Sequence, residues 1–271
     1  MPRRYADYDR VAIVTGADSG IGQATAIALA RAGFDVGITY LDDADGAERT
    51  SEAVGKAGQR CAVRQTDLSR LPGGAAVVDE LAEELGGLGV LVNNAGTGSN
   101  EPLLTASYDS WRHVLSVDLE APFLCAQRAG KRMLAAGRGG RIINITSVHE
   151  HAPRVGSGAY CAAKGGLGML TKVMAQEWAQ HGITVNAVAP GEIATPMTGQ
   201  DDADVYTIER PGVPVGRPGD PAEIATVVAL LASPEAAYVT GASWVVDGGM
   251  LLMGPVGGSD LPSREWRSVE D

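Results

Sequence analysis

"VAIVTGADSGIGQATAIALARAG", residues 11–33, opens with a run of apolar and β-branched residues and turns at once into a glycine-punctuated, alanine-rich segment. A short apolar run without polar alternation reads as a strand covered on both faces. The residues after Gly22 favour helix, and Gly33 stands where a helix stops. A strand that passes directly into a helix through glycines is the first half of a β–α–β unit, and such units build parallel sheets.

The same alternation continues along the chain. "DVGITY" (35–40), "RCAVRQT" (60–66), "GVLVNNAG" (89–96), "GRIINIT" (140–146), "GITVNAVAP" (182–190) and "ASWVVDGG" (242–249) are further strand candidates, with mostly helical stretches between them. About seven parallel strands with helices on both faces, in one α/β domain spanning residues 1–271, is the expected architecture. Residues 192–219, "EIATPMTGQDDADVYTIERPGVPVGRPG", break the pattern. An irregular segment of that length between a strand and a helix is expected to be a substrate lid. The tail from 250 to 271 is irregular as well and is expected to dock on a neighbouring subunit.

Composition narrows the function classes. The chain has 271 residues, 45% hydrophobic, with a net charge of −11, which suits a soluble domain and disfavours nucleic acid as a partner. No apolar run approaches the ~20 residues of a membrane span, and "MPRRYADYDR" lacks a signal-peptide core. Cys61, Cys125 and Cys161 are odd in number and widely spaced, which fits a reducing cytoplasm rather than a disulfide framework.

The candidate chemistry lies at the carboxyl ends of the strands, where ligands bind in open parallel sheets. In "TGADSGIG" (15–22), Gly16, Gly20 and Gly22 permit close backbone approach, and the following helix N-terminus attracts a pyrophosphate. "TDL" (66–68) and "NNAG" (93–96) reach the same edge after strands three and four.

In "AYCAAKGG" (159–166), Tyr160 and Lys164 share one helical face, surrounded by small residues. A free phenol, with a pKa near ~10, is a poor base at neutral pH, but an adjacent ammonium favours phenolate. Tyr160 can then exchange a proton with an alcohol oxygen. Ser147, at the end of strand five, can hold that oxygen as charge develops on it.

"TGADSGIG", "NNAG", Ser147, "YCAAK", "PGEIATP" (190–196) and "DGG" (247–249), in this order and spacing, resemble the short-chain dehydrogenase/reductase superfamily over nearly the whole chain. "TSVHEH" and "VVDGGM" further resemble its glucose-1-dehydrogenase-like and acetoin/diacetyl-reductase-like branches. The resemblance implies a Rossmann-type doubly wound fold and an NAD(P)-dependent oxidoreductase acting on secondary alcohols or ketones: a small polyol, diketone, sugar or acyl substrate. It assigns carbonyl binding to Ser147, acid/base exchange to Tyr160, and ribose binding with tuning of the tyrosine to Lys164. It places Gly16, Ser19, Gly20, Ile21 and Gly22 at the cofactor, with Tyr40 and Leu41 at the adenine ribose and Asp67 and Leu68 at the adenine. Asn94, Ala95 and Gly96 line the cofactor, and Pro190, Gly191, Ile193 and Thr195 cover the nicotinamide. A homotetramer formed through the Tyr160 helix is implied too.

One position departs from the family pattern. The family's fourth catalytic residue is an Asn acting mainly through its main-chain carbonyl, and "SVDLEAPF" carries Asp118 there. That carbonyl is available from any residue, and a carboxylate can also support the Lys164 charge. A dinucleotide-binding regulator with little turnover is the alternative reading, and Asp118 is the feature in its favour.

His149 and His151 flank Glu150 without an evident third ligand, so no metal is expected. His149 and Glu192 are substrate-facing candidates, and His113 and His181 are expected at the surface. Gly165, Gly166 and Gly168 are costly inside a helix and point to a close approach there. Tyr40 and Leu41 end strand two and Asp42 and Asp43 follow, with Ser19 in the glycine turn. With no cation there for a 2′-phosphate, the expectation leans toward NAD over NADP, with Thr39 or backbone amides as the remaining phosphate ligands.

Overall fold

Every one of the seven apolar runs forms a strand. A computed structural model describes residues 7–200 and 204–253. It contains β1 (Val11–Val14), β2 (Asp35–Tyr40), β3 (Cys61–Gln65), β4 (Val90–Asn93), β5 (Gly140–Ile145), β6 (Ile183–Pro190) and β7 (Ser243–Val246). All pairings are parallel, in the order β3-β2-β1-β4-β5-β6-β7. Ile13 of β1 stands in register with Gly37 of β2 and Leu91 of β4. The chain winds outward from β1 to β3, then returns to the other side of β1 as β4. A crevice opens at that reversal, beyond the carboxyl ends of β1 and β4.

Helices α1 (Gly20–Arg31), α2 (Ala44–Lys56) and α7 (Pro221–Ala232) cover one face of the sheet, while α3 (Val77–Leu85), α5 (Ala121–Ala136) and α6 (Gly158–Trp178) cover the other. Two cores result. Leu29, Val54, Ile224 and Val228 pack with Val14, Ile38 and Val188 on the first face. Leu81, Cys125, Met133 and Met174 pack with Ile13, Leu91 and Val185 on the second. The strands are apolar on both sides because both sides are buried.

Helix α4 (Tyr108–Leu115) runs into α5 through a π-helical turn over Ser116–Glu120. Asp118, fully buried, is the third residue of that turn.

The segment from 192 to 219 is clasped at its ends. Ala194 N–H donates to Gly219 O at 2.9 Å, and Gly219 N–H donates to Glu192 O at 2.9 Å. Between them lie single 3₁₀ turns at Pro196–Thr198 and Val205–Thr207. Arg210 Nε and Gln200 Nε2 donate to the Glu192 carboxylate at 2.7 and 2.8 Å, tying both halves of the loop to its base. Asp220 and Glu223 form a capping box that starts α7, with Pro221 in its first turn. A further 3₁₀ turn covers Met250–Leu252, and the remainder of the expected docking tail, 254–271, lies outside the described residues.

Candidate active site

The crevice is a cavity of about 400 Å³ running from the end of β2, past β1 and β4, to the end of β6. The glycine turn forms its floor. Gly20 has φ +52°, and a Cβ there would stand 3.0 Å from Thr195 across the cleft. A Cβ on Gly22 would fall 2.0 Å from Gly16 O, so α1 packs on the turn only with glycine at this position. Ser19 precedes α1 in extended conformation and its side chain caps nothing, which leaves the first-turn N–H groups for a ligand. That cradle fits a pyrophosphate.

Asn94 holds the turn in place. Its Nδ2 donates to Gly16 O at 2.8 Å and Thr15 O at 3.0 Å, while the backbone N–H groups of Asn94 and Ala95 both donate to Thr15 Oγ1 at 3.0 Å. Asn93 is buried below it, donating to Asn144 Oδ1 at 2.8 Å. Asn144 Nδ2 in turn donates to Thr171 Oγ1 on α6 at 2.8 Å. The "NNAG" pair therefore joins the glycine turn, the sheet and the helix that carries Tyr160.

At the other end stand Ser147, Tyr160 and Lys164. Ser147 stands two residues beyond β5 in extended conformation, and its Oγ accepts the His149 N–H at 3.1 Å. Lys164 Nζ lies 5.4 Å from the centre of the Tyr160 ring, as helical spacing requires. Its side chain is buried, donating to Ile145 O at 3.1 Å and pairing with Asp118 Oδ1 at 3.0 Å. Thr97 N–H donates to Asp118 Oδ2 at 3.1 Å. Burial drives the Asp118 carboxyl upward, opposed by the Lys164 charge and by Thr97 N–H. For Lys164 burial works the other way, yet Asp118 and Tyr160 outweigh it and hold the ammonium above the ordinary lysine range. The lysine's direction keeps the ammonium charged beside Tyr160.

All the residues assigned above to catalysis or cofactor binding line this one cavity, from Gly16 to Thr195. His149 and Glu192 do not. The His149 ring stacks edge-on against Tyr160 at 6.2 Å and its Nδ1 contacts Ala152 O at 3.0 Å, whereas Glu192 is held by Arg210 and Gln200. His113, expected at the surface, is exposed and also lines the rim of the cavity, together with Val117. Thr39 is buried, its Oγ1 accepts the Gly16 N–H at 3.1 Å, and it lines the cavity. Asp18, Thr97 and Met197 line the cavity without having been singled out in the sequence; only Asp18, inside the glycine motif, carried a signal there.

Two of the three helix glycines are explained by close approach within the chain. A Cβ on Gly168 would lie 2.2 Å from Glu150 Oε1 and one on Gly166 would lie 3.2 Å from Leu119, while Gly165 faces open space. Glu150 is nearly buried and accepts a hydrogen bond from Ser243 Oγ at 3.0 Å; His151 Nε2 contacts the same hydroxyl at 3.1 Å.

Comparison with known proteins decides the family. The family model described as Enoyl-(Acyl carrier protein) reductase matches residues 16–251. The oxidoreductase YohF of Escherichia coli K12 is 50% identical over 246 residues, covering 91% of this chain and 97% of that protein. The chain belongs to the short-chain dehydrogenase/reductase family. The acetoin dehydrogenase YohF structure from Salmonella typhimurium superposes with a TM-score of 0.88 at 49% identity, covering 92% of this chain and 98% of the other. A structure described as an NAD(P)-dependent gluconate 5-dehydrogenase from Beutenbergia cavernae, with bound NADP at low occupancy, gives 0.81 at 36% identity and covers 92% and 100%. Membership makes this short-chain dehydrogenase/reductase an NAD(P)-dependent oxidoreductase of CH–OH groups.

Proposed function

We propose that the chain interconverts a small, uncharged secondary alcohol and its ketone, with an α-hydroxy ketone such as acetoin as the first candidate. The observation that carries this reading is the convergence of Ser147, Tyr160 and the paired Lys164 on one end of a dinucleotide-sized cleft. The cofactor supplies a hydride donor or acceptor. Ser147 Oγ holds the substrate oxygen, Tyr160 gives or takes its proton, and Lys164 keeps a positive charge beside the phenol. Asp118 secures that charge, which removes the ground for reading the chain as an inactive regulator.

The class of substrate follows from charge. Lys164, already paired, and His113 at the rim are the basic side chains among the described cavity-lining residues. Arg210 and Arg217 of the lid are paired with Glu192 and Glu223. Among the described cavity-lining residues a carboxylate or phosphate on the substrate would find no unpaired lysine or arginine, so neutral ketones, diketones and sugars are preferred over acids. Similarity to an acetoin dehydrogenase supports the smaller members of this set.

NAD(H) is the preferred cofactor. The Asp43 carboxylate caps α2 by accepting Gly46 N–H at 2.8 Å, so this helix N-terminus is closed to a 2′-phosphate. We place the protein in the cytoplasm, in keeping with three free cysteines, and as a homotetramer, for which exposed Met169 and Val173 on α6 and Phe123 on α5 offer an apolar face.

A substrate panel followed by nicotinamide absorbance, with both cofactors and in both directions, tests the proposal. Turnover of acetoin or another small neutral ketone with NADH supports it. Turnover confined to acidic or acyl-thioester substrates contradicts it. Mass measurement in solution checks the tetramer.

A further inference from the structure

The adenosine end of the cleft carries an acidic group. Asp18 lies in the glycine turn, between Ala17 and Ser19, and lines the cavity with Tyr40 and Leu41 from the end of β2. Its backbone is fixed: Gln23 Nε2 donates to Asp18 O at 3.3 Å, and Gln23 is itself held by Thr50 at 2.9 Å. The end of β2 is where this fold meets the 2′ position of the adenosine ribose.

We infer that Asp18 is the residue by which this cleft discriminates against the 2′-phosphate of NADP(H), its carboxylate forming the wall that the phosphate would have to approach. The inference rests on the dinucleotide reading above and names the residue that sets its preference. Two features isolate Asp18 from the neighbouring carboxylates. Asp43 spends its charge on the N-terminus of α2 and on Arg49, 3.5 Å away. Asp42 is an exposed residue outside the cavity lining. Asp18 is half-buried, and burial together with the nearby Asp43 and Asp42 charges pushes its carboxyl above the ordinary range. The carboxyl is thus already in an anionic neighbourhood, and a phosphate dianion adds to an existing repulsion. The 2′-hydroxyl of NAD(H), by contrast, can donate to that carboxylate.

Direct binding on the full-length protein provides the test. NADH and NADPH are titrated by quenching of tryptophan fluorescence, with 5′-AMP and 2′-AMP as competing fragments that carry no nicotinamide. Asp18→Asn keeps the shape and removes the charge; Asp18→Ser repeats the test with a smaller side chain. The wild type is expected to bind NADH more tightly than NADPH. Both variants are expected to lower the NADPH dissociation constant about tenfold relative to that of NADH, with 2′-AMP competition improving in parallel. An unchanged NADPH-to-NADH ratio in both folded variants overturns the role of Asp18 and leaves the dinucleotide reading intact. A wild type that binds neither cofactor removes the dinucleotide reading, and the inference with it.

Discussion

The Lys164 ammonium sits 3.0 Å from the Asp118 carboxylate, both side chains at most 5% exposed, in a family where an asparagine stands at this position. The π-helical turn at Ser116–Glu120 brings the carboxylate there, and Thr97 N–H fixes it. In Asp118→Asn the largest support that keeps Lys164 above the ordinary lysine range is gone and only that of Tyr160 is left, while the burial that works against the charge remains. Its pKa must fall, so the ammonium is lost as pH rises at an earlier point than in the wild type. A kcat/KM profile for alcohol oxidation should therefore turn down at lower pH in the variant. Superimposable profiles would show that the pair plays no part in turnover. Asp118→Ala, which leaves a buried ammonium without its counter-charge, should lose about 3–5 kcal/mol of stability in chemical denaturation.

Gly168 and Glu150 form a second coupled pair. A Cβ on Gly168 would lie 2.2 Å from Glu150 Oε1, so Gly168→Ala must displace a carboxylate that Ser243 holds. Loss of that position should cost about 1–3 kcal/mol and loosen the turn that carries Ser147. The double variant Gly168→Ala/Glu150→Ala should be less destabilised than the sum of the single variants. Additive values from thermal melts would show that the two side chains do not compete for one space.

The base of the 192–219 segment should respond to acid. Arg217 donates to both oxygens of Glu223, at 2.8 and 2.9 Å, and this bond, with the Asp220 N–H, depresses the glutamate pKa from 4.5 to about 2. A depressed acid stabilises the fold above its unfolded pKa, and that contribution disappears as pH falls from 4.5 toward 2. Glu223 is 46% exposed, so solvent screening limits the term to at most about 1 kcal/mol. Glu223→Gln should lower the melting temperature slightly at pH 7 and match the wild type near pH 2. An equal deficit at both pH values would place the effect in packing rather than charge.

Much of this was legible in the residues. Strands buried on both faces write themselves as uninterrupted apolar runs, which is why all seven were readable, and glycine turns mark the points where backbone approaches backbone. Ser147, Tyr160 and Lys164 stand out because chemistry needs those groups at fixed spacing. What escaped depends on contacts between distant segments. No local pattern says that Glu192 meets Arg210, that Gly168 faces Glu150, or that Thr39 accepts from Gly16. The π-helical turn is equally silent, since "SVDLE" has no composition that distinguishes it from an ordinary helix. Asp18 stands within "TGADSGIG", but a glycine-rich turn gives no local pattern that tells a cleft-lining side chain from an ordinary turn residue.

The central claim, that Tyr160 transfers the proton in a nicotinamide-dependent reaction, is tested most directly by Tyr160→Phe, with turnover and NADH dissociation constant measured on the same preparation. The phenyl ring keeps the wall of the cleft and removes only the exchangeable proton. The account predicts turnover near background with NADH still bound, the drop falling on kcat. Substantial turnover in a clean preparation of that variant would contradict it.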